Sequence, residues 1–217
     1  MRKFVVALAA GAGLALAGCD AATAPAEADA SSGSLTDTAW TLDNEASRIA
    51  FVSIKDGEFI ETHYFPDLSG GVSPDGDGRV DIALNEVETK VDIRNERMRE
   101  MFFETGQFPT ATIETRVAAD DLADLEIGQR VPRTLDAVLS LHGQDAQIEA
   151  EAFITRISED RVEVQSAEPV VVYLSDFDLE PGLERLREVA GLSAITASSP
   201  VTFTFVFDAG ENPAAAG

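Results

Sequence analysis

Few residues in this chain have types and spacings that invite chemistry: His63, His142, the lone cysteine Cys19, and a run of arginines at Arg94, Arg97 and Arg99. The histidines lie far apart, and neither a His-x-x-x-His nor a Cys-x-x-Cys spacing occurs, so a zinc or copper site has no support. Asp75, Asp77 and Asp81 have part of the spacing of a calcium loop. The further ligands are missing, and Pro74-Asp75-Gly76-Asp77-Gly78 reads as a tight turn instead. No Gly-x-Ser-x-Gly elbow, phosphate-binding loop or dinucleotide fingerprint is present. Acidic pairs are frequent only because 39 acidic residues face 16 basic ones, so they nominate no acid/base dyad. Neither a metal nor a cofactor is expected, and the chain is expected not to be an enzyme.

The net charge of −23 also bears on partners. A surface of that sign repels phosphate backbones, which argues against nucleic-acid binding. In so acidic a chain the arginine run has two readings. One is an anion clamp for a phosphate or carboxylate head group at the mouth of a cavity. The other is a solvated helix face paired with Glu96 and Glu100. The phenylalanines divide in the same way, between packed core and the wall of a cavity.

The elements that must position these residues follow from composition and periodicity. Met1-Arg2-Lys3 and the apolar run Phe4 to Ala17 have the proportions of a signal peptide. Leu16-Ala17-Gly18-Cys19 resembles the lipobox of bacterial lipoproteins, which implies cleavage after residue 18 and a lipid on Cys19; the alternative is an ordinary signal peptide with a chance cysteine. Asp20 resembles the inner-membrane retention signal of enterobacterial lipoproteins, so the expected location is the periplasmic face of the envelope, leaning to the inner membrane. Residues 19–37 read as a flexible tether, 38–208 as the folded domain and 209–217 as a disordered tail. With one cysteine, no intrachain disulfide can form, and stability must come from the core.

Within the domain the dominant period is two. Val80, Ile82 and Leu84 share one face, as do Ala111, Ile113, Thr115 and Val117. Leu135, Ala137, Leu139 and Leu141 form another, then Ile148, Ala150, Ala152 and Ile154. Val162 and Val164, Val170 and Val172, and finally Val201, Phe203, Phe205 and Phe207 continue the pattern, with Ile49 and Phe51 near the start. About eight strands with one apolar face must hide their edges. They can close into an antiparallel barrel with room for a ligand, or pair as a filled sandwich. Two segments switch to helical spacing: Asp92 to Glu104, with Thr89 or Asp92 as N-cap, and Pro181 to Ala190, stopped by Gly191. Short helices in such a chain are candidate lids.

Read in order, several stretches resemble the YceI-like family of periplasmic proteins. They are Trp40-Thr41-Leu42-Asp43, Phe65 with Ser69-Gly70, Thr89 with Ile93-Arg94-Asn95-Glu96-Arg97-Met98, Phe103 with Phe108-Pro109, Leu139-Ser140-Leu141-His142-Gly143, and Ser175-Asp176-Phe177-Asp178-Leu179. Asn95 stands where many members carry aspartate, and a helix follows Leu179. The resemblance implies an all-β fold, a lipocalin-like antiparallel eight-stranded barrel with two short helices. It also implies an apolar channel that binds a polyisoprenoid, a quinone or another long-chain amphiphile. The residues expected to line it are Phe51, Leu139, Leu141, Phe203 and Phe205, with Met98, Phe102 and Phe103 near the helical cap; Arg94 and Arg97 are the head-group candidates. His142 falls in the family's turn motif and is expected to be structural. A stress or assembly factor acting through its surface, with a filled barrel, is the other reading. The sequence leaves homodimer formation open.

Overall fold

The computed structural model describes residues 38–118, 122 and 125–210. The expected signal peptide, Cys19, the tether and residues 211–217 lie outside the described residues. Eleven strands are described. The first five are β1 (Trp40–Leu42), β2 (Arg48–Lys55), β3 (Phe59–Phe65), β4 (Leu68–Val72) and β5 (Asp77–Ala83). They are followed by β6 (Thr110–Arg116), β7 (Arg130–Leu141), β8 (Gln144–Arg156), β9 (Arg161–Ser166), β10 (Val170–Tyr173) and β11 (Ser198–Ala209). Two α-helices, α1 (Asp92–Arg97) and α2 (Glu180–Ala190), accompany them.

The sheet closes. Strands β1, β4, β5, β6, β7, β8, β9 and β11 follow one another in antiparallel pairs, and β1 returns to β11 through Trp40 opposite Ala209 and Leu42 opposite Phe207. That ring of eight is the barrel; the sandwich alternative is not adopted. β11 also carries the barrel past the ring, because its first half pairs with β2 and β10. Three barrel walls are therefore bent strands: β1 with β2, β3 with β4, and β9 with β10. Chemistry at each break explains the bend. Pro66 and Pro169 have no amide hydrogen to give a ladder. At the first bend the Asp43 carboxylate accepts from the amides of Glu45 and Ala46.

Strands β5 to β11 match the expected apolar faces. The β7–β8 hairpin turns on His142 and Gly143, both with positive φ (53° and 79°), the two-residue geometry that suits twisted strands. β11 runs through Ala209, one residue past the expected domain boundary.

The first helix differs from expectation in two respects. The segment expected as a single helix to Glu104 is α1 followed by a π-turn over Met98–Phe102. Neither Thr89 nor Asp92 caps it: the N-cap is Val91, without a side-chain hydrogen bond. Thr89 is claimed instead by the buried Asn95, whose Oδ1 accepts from both the Thr89 amide (2.8 Å) and its hydroxyl (2.5 Å). The second helix is as expected. Pro181 sits in its first turn, and Gly191, at φ 67°, ends it as the amides of Gly191 and Leu192 return to the last turn. Gly182 lets α2 lie against the π-turn: a Cβ there would stand 2.8 Å from the Met101 carbonyl oxygen.

Candidate functional site

The inward faces of the strands do not meet. They surround an elongated cavity of about 620 Å³, within the ordinary size of a small-molecule site. At one end lie Val72, Val117 and Phe207, and at the other Lys55, Leu192 and Ile195. Along β11 alone the lining passes from Phe207 through Phe205, Phe203 and Val201 to Ser199, a stretch of about 26 Å at the normal rise of a strand.

Every site residue expected from the sequence, apart from Cys19, borders this cavity. Leu139 and Leu141 reach it from β7, and Phe205 and the half-buried Phe203 from β11. Those two rings stack at 4.8 Å and 16°. Phe51 from β2 stacks on Phe65 at 5.4 Å, and Phe65 meets Phe103 at 5.7 Å. Met98, Phe102 and Phe103 arrive from the π-turn, whose wider turn brings two adjacent phenylalanines against the barrel; their rings meet edge-on at 4.8 Å. From α2, Leu183, Leu186 and Ala190 complete the wall. That apolar stripe was legible as a lid, but not as cavity lining.

The polar part of the lining is small, and its charged groups Lys55, Arg94 and Arg97 lie on β2 and α1 with His63 of β3 nearby, while Arg79 borders the cavity from β5. Register along the β2–β3 hairpin shows how it arises: Ile49 lies opposite Phe65, Phe51 opposite His63, Ser53 opposite Glu61, and Lys55 opposite Phe59. Polarity therefore rises stepwise from the interior toward the hairpin tip. Arg94 crosses from α1 and donates from Nη1 to both Glu61 oxygens (3.0 and 2.8 Å) and from Nη2 to the Thr89 carbonyl (2.6 Å). Lys55 pairs with the same Glu61. Arg94 is thus half-buried and already neutralised by a residue of another element, not by Glu96 or Glu100. Arg97 also borders the cavity and, among the described residues, has no ion-pair partner. Burial lowers the Arg94 pKa, and burial together with Arg94 lowers that of Lys55.

His63 was given no site role by sequence reasoning, because a histidine without a second ligand nearby carries no motif. It is 3% exposed, and its Nε2 lies 2.9 Å from Ser53 Oγ while Nδ1 has no partner. Burial, reinforced by the positive charges of Arg94, Lys55 and Lys90, pushes its pKa from 6.5 down to about 4. His142 is a different case. Its Nδ1 faces the Phe177 carbonyl oxygen at 3.1 Å and its Nε2 faces Glu104, which Arg185 of α2 also grips at 2.6 Å. It ties the hairpin turn to the helical segments, the structural role expected of it.

The family model of the YceI-like domain matches residues 40–209, the whole of the closed barrel. The chain belongs to the YceI-like domain family. Among solved structures, this YceI-like chain is similar to a polyisoprenoid binding domain from Saccharophagus degradans implicated in plant cell wall breakdown. The two share 38% identity over 80% of this chain and 99% of that one, with a TM-score of 0.78. It is also similar in fold to BcnA of Burkholderia cenocepacia, at 14% identity, 76% and 98% coverage and a TM-score of 0.59. No curated protein matches the chain.

Proposed function

We propose that this YceI-like protein is a carrier that holds a polyisoprenoid, a quinone or another long-chain amphiphile in its barrel, and that it is not an enzyme. The observation that carries the reading is the hollow itself: about 620 Å³ walled mainly by aliphatic and aromatic side chains. Burying an alkyl chain there contributes roughly 0.8 kcal/mol per methylene before the costs of ordering it. Such a driving force selects length and apolarity more than chemical identity. The polyisoprenoid binding named for the relative at 38% identity supports the same ligand class. A factor acting only through its surface has no use for a hollow of this size. We place the protein in the cell envelope, on the periplasmic face and anchored through a lipid on Cys19, with Asp20 favouring the inner membrane. Native mass spectrometry and solvent extraction of protein purified from its own host test the proposal. The expected result is a stoichiometric long-chain lipid; repeated recovery of empty protein that takes up no isoprenoid or fatty chain overturns it.

A further inference from the structure

Among the polar residues that border the cavity at the β2–β3 hairpin and α1 are Ser53, Lys55, His63 and Arg94, and two of these are incompletely bonded. His63 has one ring nitrogen engaged by Ser53 and the other without a partner, although the residue is 3% exposed. Arg94 uses Nη1 and Nη2 on Glu61 and Thr89, and its buried Nε has no partner. A buried polar atom without a hydrogen bond lowers stability, so such atoms persist where a ligand or a specific role calls for them. Both residues border the same cavity.

We propose that His63, backed by Ser53 and flanked by Arg94, is the residue that recognises the ligand's head group, and that the head group is uncharged and presents an acceptor oxygen such as a carbonyl. The inference rests on the carrier reading above. Its chemistry follows from what the two orphan atoms offer. The Arg94 Nε–H can only donate, and the imidazole tautomer that accepts from the Ser53 hydroxyl presents Nδ1–H as a second donor. Each calls for an acceptor on the ligand. Arg94 and Lys55 share the carboxylate of Glu61, so part of their charge is already compensated at the place where His63 lies. A phosphate at this depth would meet that carboxylate and would lose much of its hydration. The register fixes the ligand's direction as well. Phe51 and Ile49 lie on the inner side of His63, and Glu61 and Lys55 on the outer side, so the tail extends inward from the head.

The test compares three probes of matched chain: tridecan-2-one, tridecane and dodecyl phosphate, each competing with a bound fluorescent apolar dye. Wild-type protein is expected to prefer the ketone to the alkane by about tenfold, the worth of one or two net hydrogen bonds. His63→Leu should remove that preference, so that ketone and alkane bind alike. His63→Gln, which keeps an amide donor, should restore part of it. In wild-type protein the imidazole ¹⁵N resonances of His63 should move with the ketone and not with the alkane, a readout that stands even if both variants fold poorly. Equal binding of ketone and alkane by wild type, or an unchanged preference in His63→Leu, overturns the assignment. Tightest binding by the phosphate overturns the uncharged head group. Failure of all three probes would instead overturn the carrier reading on which the assignment rests.

Discussion

Acid should destabilise the folded protein by about 3 kcal/mol through His63 alone, the worth of its full pKa displacement. In the unfolded chain the imidazole takes up its proton near pH 6.5, whereas in the folded barrel burial and the neighbouring cations delay protonation to about 4. Above the higher value both states are neutral there and His63 contributes nothing to the pH dependence. As pH falls between the two values the unfolded state binds the extra proton, so stability declines until the folded pKa is reached. The perturbation is His63→Leu, which removes the titration. Urea unfolding of both proteins, near neutrality and near pH 4, gives the difference in stability, and the titrating carboxylates largely cancel between them. The gap should shift in favour of the variant by about 3 kcal/mol on acidification. A gap that stays constant from neutral to acid pH would refute the buried, cation-flanked environment assigned to His63.

Two further perturbations probe the cavity and its lid. Ala137 borders the hollow from β7, so Ala137→Phe should fill space instead of displacing neighbours, leaving stability equal or raised by up to about 2 kcal/mol while long-chain binding falls at least tenfold; thermal denaturation and dye competition check it, and a marked loss of stability would mean the position has no free volume. Gly182→Val places side-chain atoms where a Cβ already meets the Met101 carbonyl oxygen at 2.8 Å, and should cost about 1–3 kcal/mol in urea unfolding while speeding ligand release, because α2 must lift from the π-turn.

Much of the barrel was readable because its strands obey one rule, apolar residues at every second position facing inward. β5, β7, β8 and β11 show this plainly; the eight apolar runs read from the sequence, however, include both β9 and β10, which form one wall, and omit the wall made by β3 and β4. Three strands escaped detection for physical reasons. β1 has three residues, too few to show a period. β4 is Leu-Ser-Gly-Gly-Val, where the barrel demands close approach: a Cβ on Gly71 would stand 2.2 Å from the Trp40 carbonyl oxygen. β3 breaks the rule because its positions opposite Phe51 and Ser53 are His63, which borders the cavity, and Glu61, which pairs with Lys55 and Arg94.

The site was legible in the same uneven way. All the apolar lining residues chosen from the sequence border the cavity, since an inward residue on a barrel strand must face either core or hollow. Which of the two it faces depends on the spacing of opposite walls, and the pattern of phenylalanines is the same in both. The arginine run illustrates the other limit. Its sign and position marked it, but the partner of Arg94 is Glu61, 33 residues away on another strand, and no local spacing reveals that pair. The orphan nitrogen of His63 is likewise a product of tertiary burial.

Affinity as a function of ligand length is the measurement that bears most directly on an open, elongated barrel. In a homologous series of prenols or alkyl chains, binding should tighten with each added carbon, by a fraction of the roughly 0.8 kcal/mol that burying a methylene contributes. It should then level off once the chain fills the cavity of about 620 Å³. Affinity independent of length, or absent at every length, would contradict an interior that holds lipid.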